Sequence, residues 1–245
     1  GVGEAIHIMT GAPVPDGADT IIRSEDTERI GDSHIRIRAL VPSAKDLRRA
    51  GEDLSIGDLM LPAGKCIRPA EIGLLASTNR THVTVYRRPR VAILSTGDEI
   101  VDVDEDISDG KIVDSNSYSL TALVLEAGAI PIRLGISRDT REDLEAKLRS
   151  GLAGDVIITS GGVSVGEFDF VKAALDALGT SMEFWKVAMT PGRPFAFGTI
   201  QDSLVFGLPG NPVATMVTFE LFVRPALLKM CGYSRLYRPV VRARL

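Results

Sequence analysis

The rhythm of apolar and polar positions divides the chain into three stretches. Residues 1–49 hold short apolar runs at 5–9, 19–22 and 34–40, separated by turns such as Gly11-Ala-Pro-Val-Pro-Asp-Gly17. His34-Ile-Arg-Ile-Arg38 alternates with period two, as a half-buried strand does, and Ile6-His-Ile-Met9 also reads as a strand. This stretch is predicted to be small and β-rich. Residues 50–88 are mixed. Pro69-Ala-Glu-Ile-Gly-Leu-Leu-Ala-Ser77 predicts one short helix with proline in its first turn. Val83-Thr-Val85 predicts a strand, and Tyr86-Arg-Arg-Pro-Arg90 a linker.

Over residues 89–231, strand and helix patterns alternate. Strands are predicted over 91–95, 130–135, 155–160, 184–188 and 204–206, and helices over 118–127, 141–150, 169–178 and 213–230. Asp139 or Thr140 can cap the second of these helices, and Gly179 follows the third. The unbroken apolar run in 155–160 suits a parallel strand covered on both faces. The pattern predicts an α/β fold: a three-layer sandwich with a mostly parallel sheet as the main domain, plus smaller β-rich and mixed α+β domains. Residues 232–245 read as the start of a further β-domain. Gly1 leads almost directly into a strand pattern and the last residues read as a strand cut short, so the sequence is expected to be a piece of a longer chain.

In open α/β sheets, ligands bind beyond the carboxyl ends of the strands. The segments that follow the predicted strands are Thr96-Gly-Asp-Glu99, Ser137-Arg-Asp139, Gly161-Gly-Val-Ser-Val-Gly-Glu167, Thr190-Pro-Gly-Arg-Pro194 and Gly207-Leu-Pro-Gly-Asn-Pro212. Glycine lets backbone amides approach an anion, and proline stiffens a loop before the ligand arrives. Asp98, Glu99, Asp139, Glu167 and Asp169 could converge there as hard oxygen ligands for Mg²⁺. Taken singly, each loop is an ordinary turn and Asp169 an ordinary helix cap. Five such loops at alternating positions point to a small anionic ligand.

Composition narrows the choice. The net charge is -4, without the basic surplus of a duplex-binding protein, so nucleic acid is not an expected partner. No apolar run reaches the roughly 18 residues of a membrane span, and no secretory signal pattern opens the chain. Cys66 and Cys231 fit no metal or redox spacing and read as buried or half-buried thiols of a cytoplasmic protein. Gly162-Val-Ser-Val-Gly166 matches a hydrolase nucleophile elbow. That would make Ser164 a nucleophile, but His7, His34 and His82 all precede it, against the required order. Neither a complete P-loop nor a dinucleotide fingerprint is present.

Seven segments, taken in order, resemble one family. They are Ile8-Met-Thr-Gly-Ala-Pro-Val-Pro-Asp-Gly-Ala-Asp19, Gly51-Glu-Asp53, Leu94-Ser-Thr-Gly-Asp-Glu99, Asp114-Ser-Asn116, Ser160-Gly-Gly-Val-Ser-Val-Gly-Glu167, Pro191-Gly-Arg-Pro194 and Gly207-Leu-Pro-Gly-Asn-Pro-Val213. The family is that of the molybdopterin molybdenumtransferases, the MoeA type that includes the E domain of gephyrin. The resemblance implies an enzyme that inserts molybdate into adenylylated molybdopterin and releases AMP with the help of Mg²⁺. It implies a homodimer with the cleft between subunits, and a molybdopterin adenylyltransferase as pathway partner. By motif position, Asp53, Glu99, Asp139 and Asp169 become the cleft carboxylates, with the last three on the metal. Ser160, Gly161, Gly162 and Ser164 would meet phosphate or pterin. Pro209, Asn211 and Pro212 would shape the pocket wall, Lys186 and Arg193 would supply positive charge, and Thr10 would face a partner's cleft. The sequence departs from the family at Thr190, Arg193 and Ala214, where lysine, lysine and serine are common, so the cationic subsite is expected to differ and could suit tungstate. The family's Met-Asp-Gly motif and most of its carboxy-terminal β-domain are not in this sequence. An adenylyltransferase shares the α/β domain but not residues 1–88, and a gephyrin-like scaffold is the other alternative.

Overall fold

The computed structural model describes residues 3–39, 42, 45–162 and 168–242, with Asp109, Phe168, Asp169, Phe170 and Lys172 described by backbone alone. The chain divides into two units, Gly1–Met60 and Leu61–Leu245.

In the first unit, β1 (Thr27–Ile30) pairs antiparallel with β2 (His34–Ile37). Gly31, at φ +62°, opens the turn between them. Every residue of β2 is exposed, so its alternation builds a surface ribbon rather than a half-buried strand. Arg36 and Arg38 both reach the Glu28 carboxylate at 3.2 Å, and Arg23 grips Asp46 with two bonds of 2.8 and 2.9 Å. That grip holds the Asp46 carboxyl below its usual range. The apolar runs at 6–9 and 19–22 do not form strands. Ile6 and Met9 stay largely exposed, and an extended run without a neighbour to complete its hydrogen bonds is not a strand.

The second unit begins with α1 (Pro69–Ser77), which starts with proline in its first turn as the sequence predicts. Glu71 closes the first turn, the Arg68 backbone N–H donating to its carboxylate at 3.0 Å. That bond, helped by the Arg68 and Lys65 side chains, holds the Glu71 carboxyl at about 2. Residues 83–85, expected as a strand, form no regular element. Cys66 is exposed on the loop before α1, not buried as expected, and receives a 3.7 Å contact from the Tyr233 hydroxyl, while Cys231 is half-buried.

Strands β3 (Arg90–Thr96), β6 (Ile130–Ser137), β7 (Val156–Ser160) and β10 (Ser203–Leu208) form the parallel part of a six-stranded sheet. Its order is β6-β3-β7-β10-β9-β8, with β9 (Pro194–Ile200) and β8 (Ser181–Lys186) added antiparallel at one side. A two-residue pair, β4 (Ile100–Val101) with β5 (Ile112–Val113), stands apart from it.

Helices cover both faces, as the apolar runs of β3 and β7 require. On one face, α2 (Ser115–Glu126) and the segment after β10 pack Leu120, Val124, Phe219, Val223 and Leu227 onto Val91, Ile93, Val156 and Ile158. On the other, α3 (Arg141–Gly151) and α4 (Phe168–Ala177) pack Leu144, Leu148, Ala174 and Leu175 onto Ala92, Leu94 and Ile157. Each fully buried side chain of this size contributes about 1.5–3 kcal/mol before entropy is counted.

Two expectations are corrected in detail. The helix predicted over 213–230 is three pieces: α5 (Pro212–Thr218), a π turn at Phe219–Val223, and α6 (Arg224–Met230). Pro225 has no N–H for the regular ladder, and the wider turn before it absorbs the mismatch. Strand β9 was not predicted at all, because its proline start and its glycine read as a loop. No helix among the described residues is long and apolar enough to cross a membrane.

Candidate functional site

From β3 the chain runs through α2 to β6 on one side, then returns through α3 to β7 on the other side of β3. After β3 it passes to one face of the sheet, and after β7 to the opposite face. The carboxyl ends of β3 and β7 therefore flank a switch point, where open α/β sheets hold their ligands. A cavity of about 450 Å³ opens there. Ser95 and Thr96 enter it from β3, Ser160, Gly161 and Gly162 from β7, and Pro209, Gly210, Asn211 and Pro212 from the loop after β10. Asp114, Ser115 and Asn116, at the start of α2, complete the polar wall, with Glu99, Ile100, Ile112, Val113 and Pro194 around them.

Glycine is required at two of these positions. Gly161 and Gly162 have φ of +89° and +68°. A Cβ on Gly161 would lie 2.8 Å from the Thr96 carbonyl oxygen, and one on Gly162 would lie 2.4 Å from Val171 Cγ2. The loop thus presses its backbone onto the end of β3. Asn116 ties three segments together: its amide donates to Ser160 Oγ and to the Gly210 carbonyl, both at 2.8 Å. Asn211 caps α5, accepting from Val213 and Ala214 N–H at 3.1 and 3.2 Å, and Thr215 Oγ1 donates to the Pro209 carbonyl at 2.5 Å. These bonds fix the walls independently of any occupant.

Carboxylates gather at the same strand ends. Asp98 and Asp139 exchange bonds: the Asp98 N–H donates to Asp139 Oδ2 at 3.3 Å, and the Asp139 N–H to Asp98 Oδ1 at 3.2 Å. Burial raises the Asp139 carboxyl above its usual range. The Asp98 N–H opposes that shift, and the charges of Asp98 and Glu99 add to it. Lys111 Nζ and an Arg138 guanidinium nitrogen donate to the Asp98 carbonyl at 2.7 and 3.3 Å.

Of the residues expected at the site, Glu99, Ser160, Gly161, Gly162, Pro209, Asn211 and Pro212 line this one cavity. Asp139 does not line it; it bonds Asp98, the chain neighbour of the lining residue Glu99. Lys186 ends β8 and pairs in register with Pro194, a lining residue, and the Arg193 carbonyl accepts from Val187 N–H at 3.1 Å. Thr10 and Asp53 belong to the first unit, where Asp53 accepts from Arg48 at 2.5 Å. Ser164 lies outside the described residues. Asp169 is in the first turn of α4, which begins at Phe168, and its side chain lies outside the description. Among the described residues no group of three or more His, Cys, Asp or Glu could hold a metal ion. Sequence reading quoted Ser95, Thr96, Asp114 and Asn116 within the family segments without giving them a role at the site, and it missed Lys111 and Arg138 as the cations near Asp98. The helix was expected to begin at Tyr118, but it begins three residues earlier, at Ser115, capped by Asp114, which accepts from Ser117 N–H at 3.0 Å. An Asp-Ser-Asn cap just ahead of an apolar helix was the available signal.

Two family models match the chain: the probable molybdopterin binding domain over residues 92–229, and the MoeA N-terminal region (domain I and II) over residues 1–79. A molybdopterin molybdenumtransferase of Haemophilus influenzae is 40% identical over 236 residues, covering 96% of this chain and 58% of the relative. One from Nostoc sp. is 41% identical over 242 residues, covering 97% and 55%. The chain thus spans little more than half the length of the curated relatives it matches. A molybdopterin biosynthesis MoeA protein of Pyrococcus horikoshii OT3 has the same fold, with a TM-score of 0.74 and 30% identity over 96% of this chain and 57% of that one. With the first model alone matching more than half of it, the chain belongs to the probable molybdopterin binding domain family, in the MoeA-type arrangement of the molybdopterin molybdenumtransferases.

Proposed function

We propose that this chain is the pterin-holding part of a molybdopterin molybdenumtransferase, which inserts molybdate into adenylylated molybdopterin and releases AMP. The observation that carries the reading is the cavity at the switch point, walled by a Gly161-Gly162 backbone too close to Thr96 for any side chain. The Gly161 N–H is spent on the Leu208 carbonyl at 3.2 Å, and the lack of side chains lets a phosphate or ring approach the backbone closely. The substrate fits a site of this kind: it joins a flat heterocycle to a pyrophosphate, and the second substrate is a dianion.

The chain's own residues divide the work. Asn116, Asn211 and Thr215 hold the loops in place, so that no reorganisation is needed when charge develops. Lys111 and Arg138, with Lys186 and Arg193 at the same strand ends, offset the negative charge of substrate and carboxylates. Mg²⁺ needs only one or two protein carboxylates beside phosphate and water, and Glu99 and Asp139, with Asp169, would hold it and let it neutralise the pyrophosphate. Burial, with a smaller contribution from the charges of Asp98 and Glu99, raises the Asp139 carboxyl, and a nearby cation would offset both, which supports this. The same reading includes a homodimer, a molybdopterin adenylyltransferase as supplier of the substrate, and a cytoplasmic location.

The test is AMP release from adenylylated molybdopterin by the full-length protein when molybdate is added. Molybdate-dependent release that falls in Asp139→Asn and Asp169→Asn supports the proposal. No release under any molybdate or Mg²⁺ concentration overturns it.

A further inference from the structure

One wall of the cavity is held differently from the rest. Ser160 ends β7 and Gly161 follows it out of the packed sheet, whereas Ile100, Ile112 and Val113 belong to the β4–β5 pair and Glu99 directly precedes it. Among the described residues β4 and β5 pair only with each other, and of their four residues only Val101 is buried. Backbone bonds close the pair: Ile112 N–H donates to the Glu99 carbonyl at 2.9 Å and Asp114 N–H to the Val101 carbonyl at 2.8 Å. Its inner end is tied to the loop after β6 by the exchange between Asp98 and Asp139. The Glu99 carboxylate folds back onto that end, since a Cβ on Gly97 would lie 2.7 Å from Glu99 Oε1. Where the carboxylate stands therefore follows where the backbone of 97–101 stands.

The outer end is tied by three side chains that the proposed reaction does not use. Asp102 follows β4 directly. Its Oδ1 accepts from the Tyr118 hydroxyl of α2 at 2.9 Å and from Arg133 of β6 at 3.2 Å, and its Oδ2 accepts from the same arginine nitrogen at 3.3 Å. The Arg133 guanidinium lies over the Tyr118 ring, 3.9 Å from its centroid. The Val103 N–H, the Tyr118 hydroxyl and Arg133 hold the Asp102 carboxyl below its usual range, against the opposing effect of burial. An isolated exposed ion pair fixes little, but a carboxylate, a hydroxyl, a cation and a ring that all meet in one arrangement are coupled.

We infer that Asp102, Arg133 and Tyr118 form a latch that fixes the β4–β5 wall, and that they are positioning residues acting through Glu99 on the proposed substrate. The inference rests on the proposed function and adds to it residues that lie outside the cavity. Two substitutions open the latch with little change of shape. Asp102→Asn keeps an oxygen for Tyr118 and Val103 but sets an amide N–H against Arg133. Tyr118→Phe keeps the ring beneath the guanidinium and removes the hydroxyl.

The full chain is titrated with adenylylated molybdopterin in the presence of Mg²⁺, as the parent, as Asp102→Asn and Tyr118→Phe, and with each of these combined with Glu99→Gln. Amide hydrogen exchange is followed in the parent and in Asp102→Asn. The Ile112 and Asp114 amides are expected to exchange about five-fold faster in Asp102→Asn, with those of β3 and β7 unchanged. Affinity is expected to fall about five-fold in each single variant, and neither substitution should add a further loss to Glu99→Gln. A merely structural Asp102 would cost the same factor with and without Glu99, and that result overturns the inference. Parent-like exchange or parent-like affinity in Asp102→Asn also overturns it, and leaves the proposed function standing. A parent chain that binds no adenylylated molybdopterin overturns the proposed function, and the positioning role with it.

Discussion

The two units of the chain are built on different physics. Among the described residues before Leu61 not one is buried, and charged contacts on the surface hold the ribbon and its surroundings. The second unit has two separate apolar clusters, one on each face of its sheet. Exposed ion pairs contribute about 0–1 kcal/mol each, whereas a buried side chain of ordinary size contributes several times that. The difference explains where a shaped cavity can exist. Walls held to within a fraction of an ångström need a packed sheet beneath them, and only the second unit has one.

The largest expected effect tests that contrast as a whole. Expressed separately, residues 61–245 should melt cooperatively, and residues 1–60 should show no cooperative transition by circular dichroism. A cooperative melt of the shorter piece would remove the contrast. Next in size is Gly162→Ala. The new Cβ would meet Val171 Cγ2 at 2.4 Å and Thr96 Oγ1 at 2.8 Å, from a backbone at φ +68°. Strain and overpacking together should cost about 2–4 kcal/mol in urea unfolding, and weaken ligand binding with it. A silent substitution would mean that the loop is not pressed on β3.

Two carboxyls sharpen the comparison in opposite directions. Glu71 is held down to about 2, so its contribution is present above the usual 4.5 and is lost as pH falls toward 2. Glu71→Gln should therefore melt below the parent at pH 7, the gap closing over that window. Asp139 is shifted the other way. A raised carboxyl favours the fold most when protonated, below the usual 3.8, and that advantage is lost as pH rises through its folded value. Asp139→Asn should melt slightly above the parent at pH 7, by a few tenths of a kcal/mol, and match it in acid. A lower melting temperature at pH 7 would mean that the Asp139 carboxylate supports the fold rather than being disfavoured by its burial.

Much of the sheet was legible in the sequence because its strands are strong local signals. Val91-Ala-Ile-Leu and Val156-Ile-Ile are runs that only a doubly covered strand explains, and the loops after them pointed to one edge. Strand β9 was hidden, since Pro194 and Gly198 read as punctuation and its place is settled by pairing with β10, a tertiary fact. The ribbon strand β1, Thr27-Glu-Arg-Ile30, has no apolar alternation to find because none of its residues is fully buried. At the site, motif residues such as Gly161, Gly162 and Asn211 announced themselves through rare conformational needs. Ser95, Thr96 and Asn116 stood inside the family segments without a role, because a small polar residue becomes notable only when packing leaves it buried with an unpartnered atom. Lys111 and Arg138 were overlooked for a similar reason: their contacts with Asp98 span 13 and 40 residues of sequence.

The most direct test of the central claim, that the ligand cavity belongs to the second unit alone, is calorimetric titration of residues 61–245 with adenylylated molybdopterin beside the full chain. The cavity geometry predicts one site per chain, with affinities within about three-fold of each other and lost together in Gly162→Ala. Binding by the full chain with none by a folded second unit would contradict it.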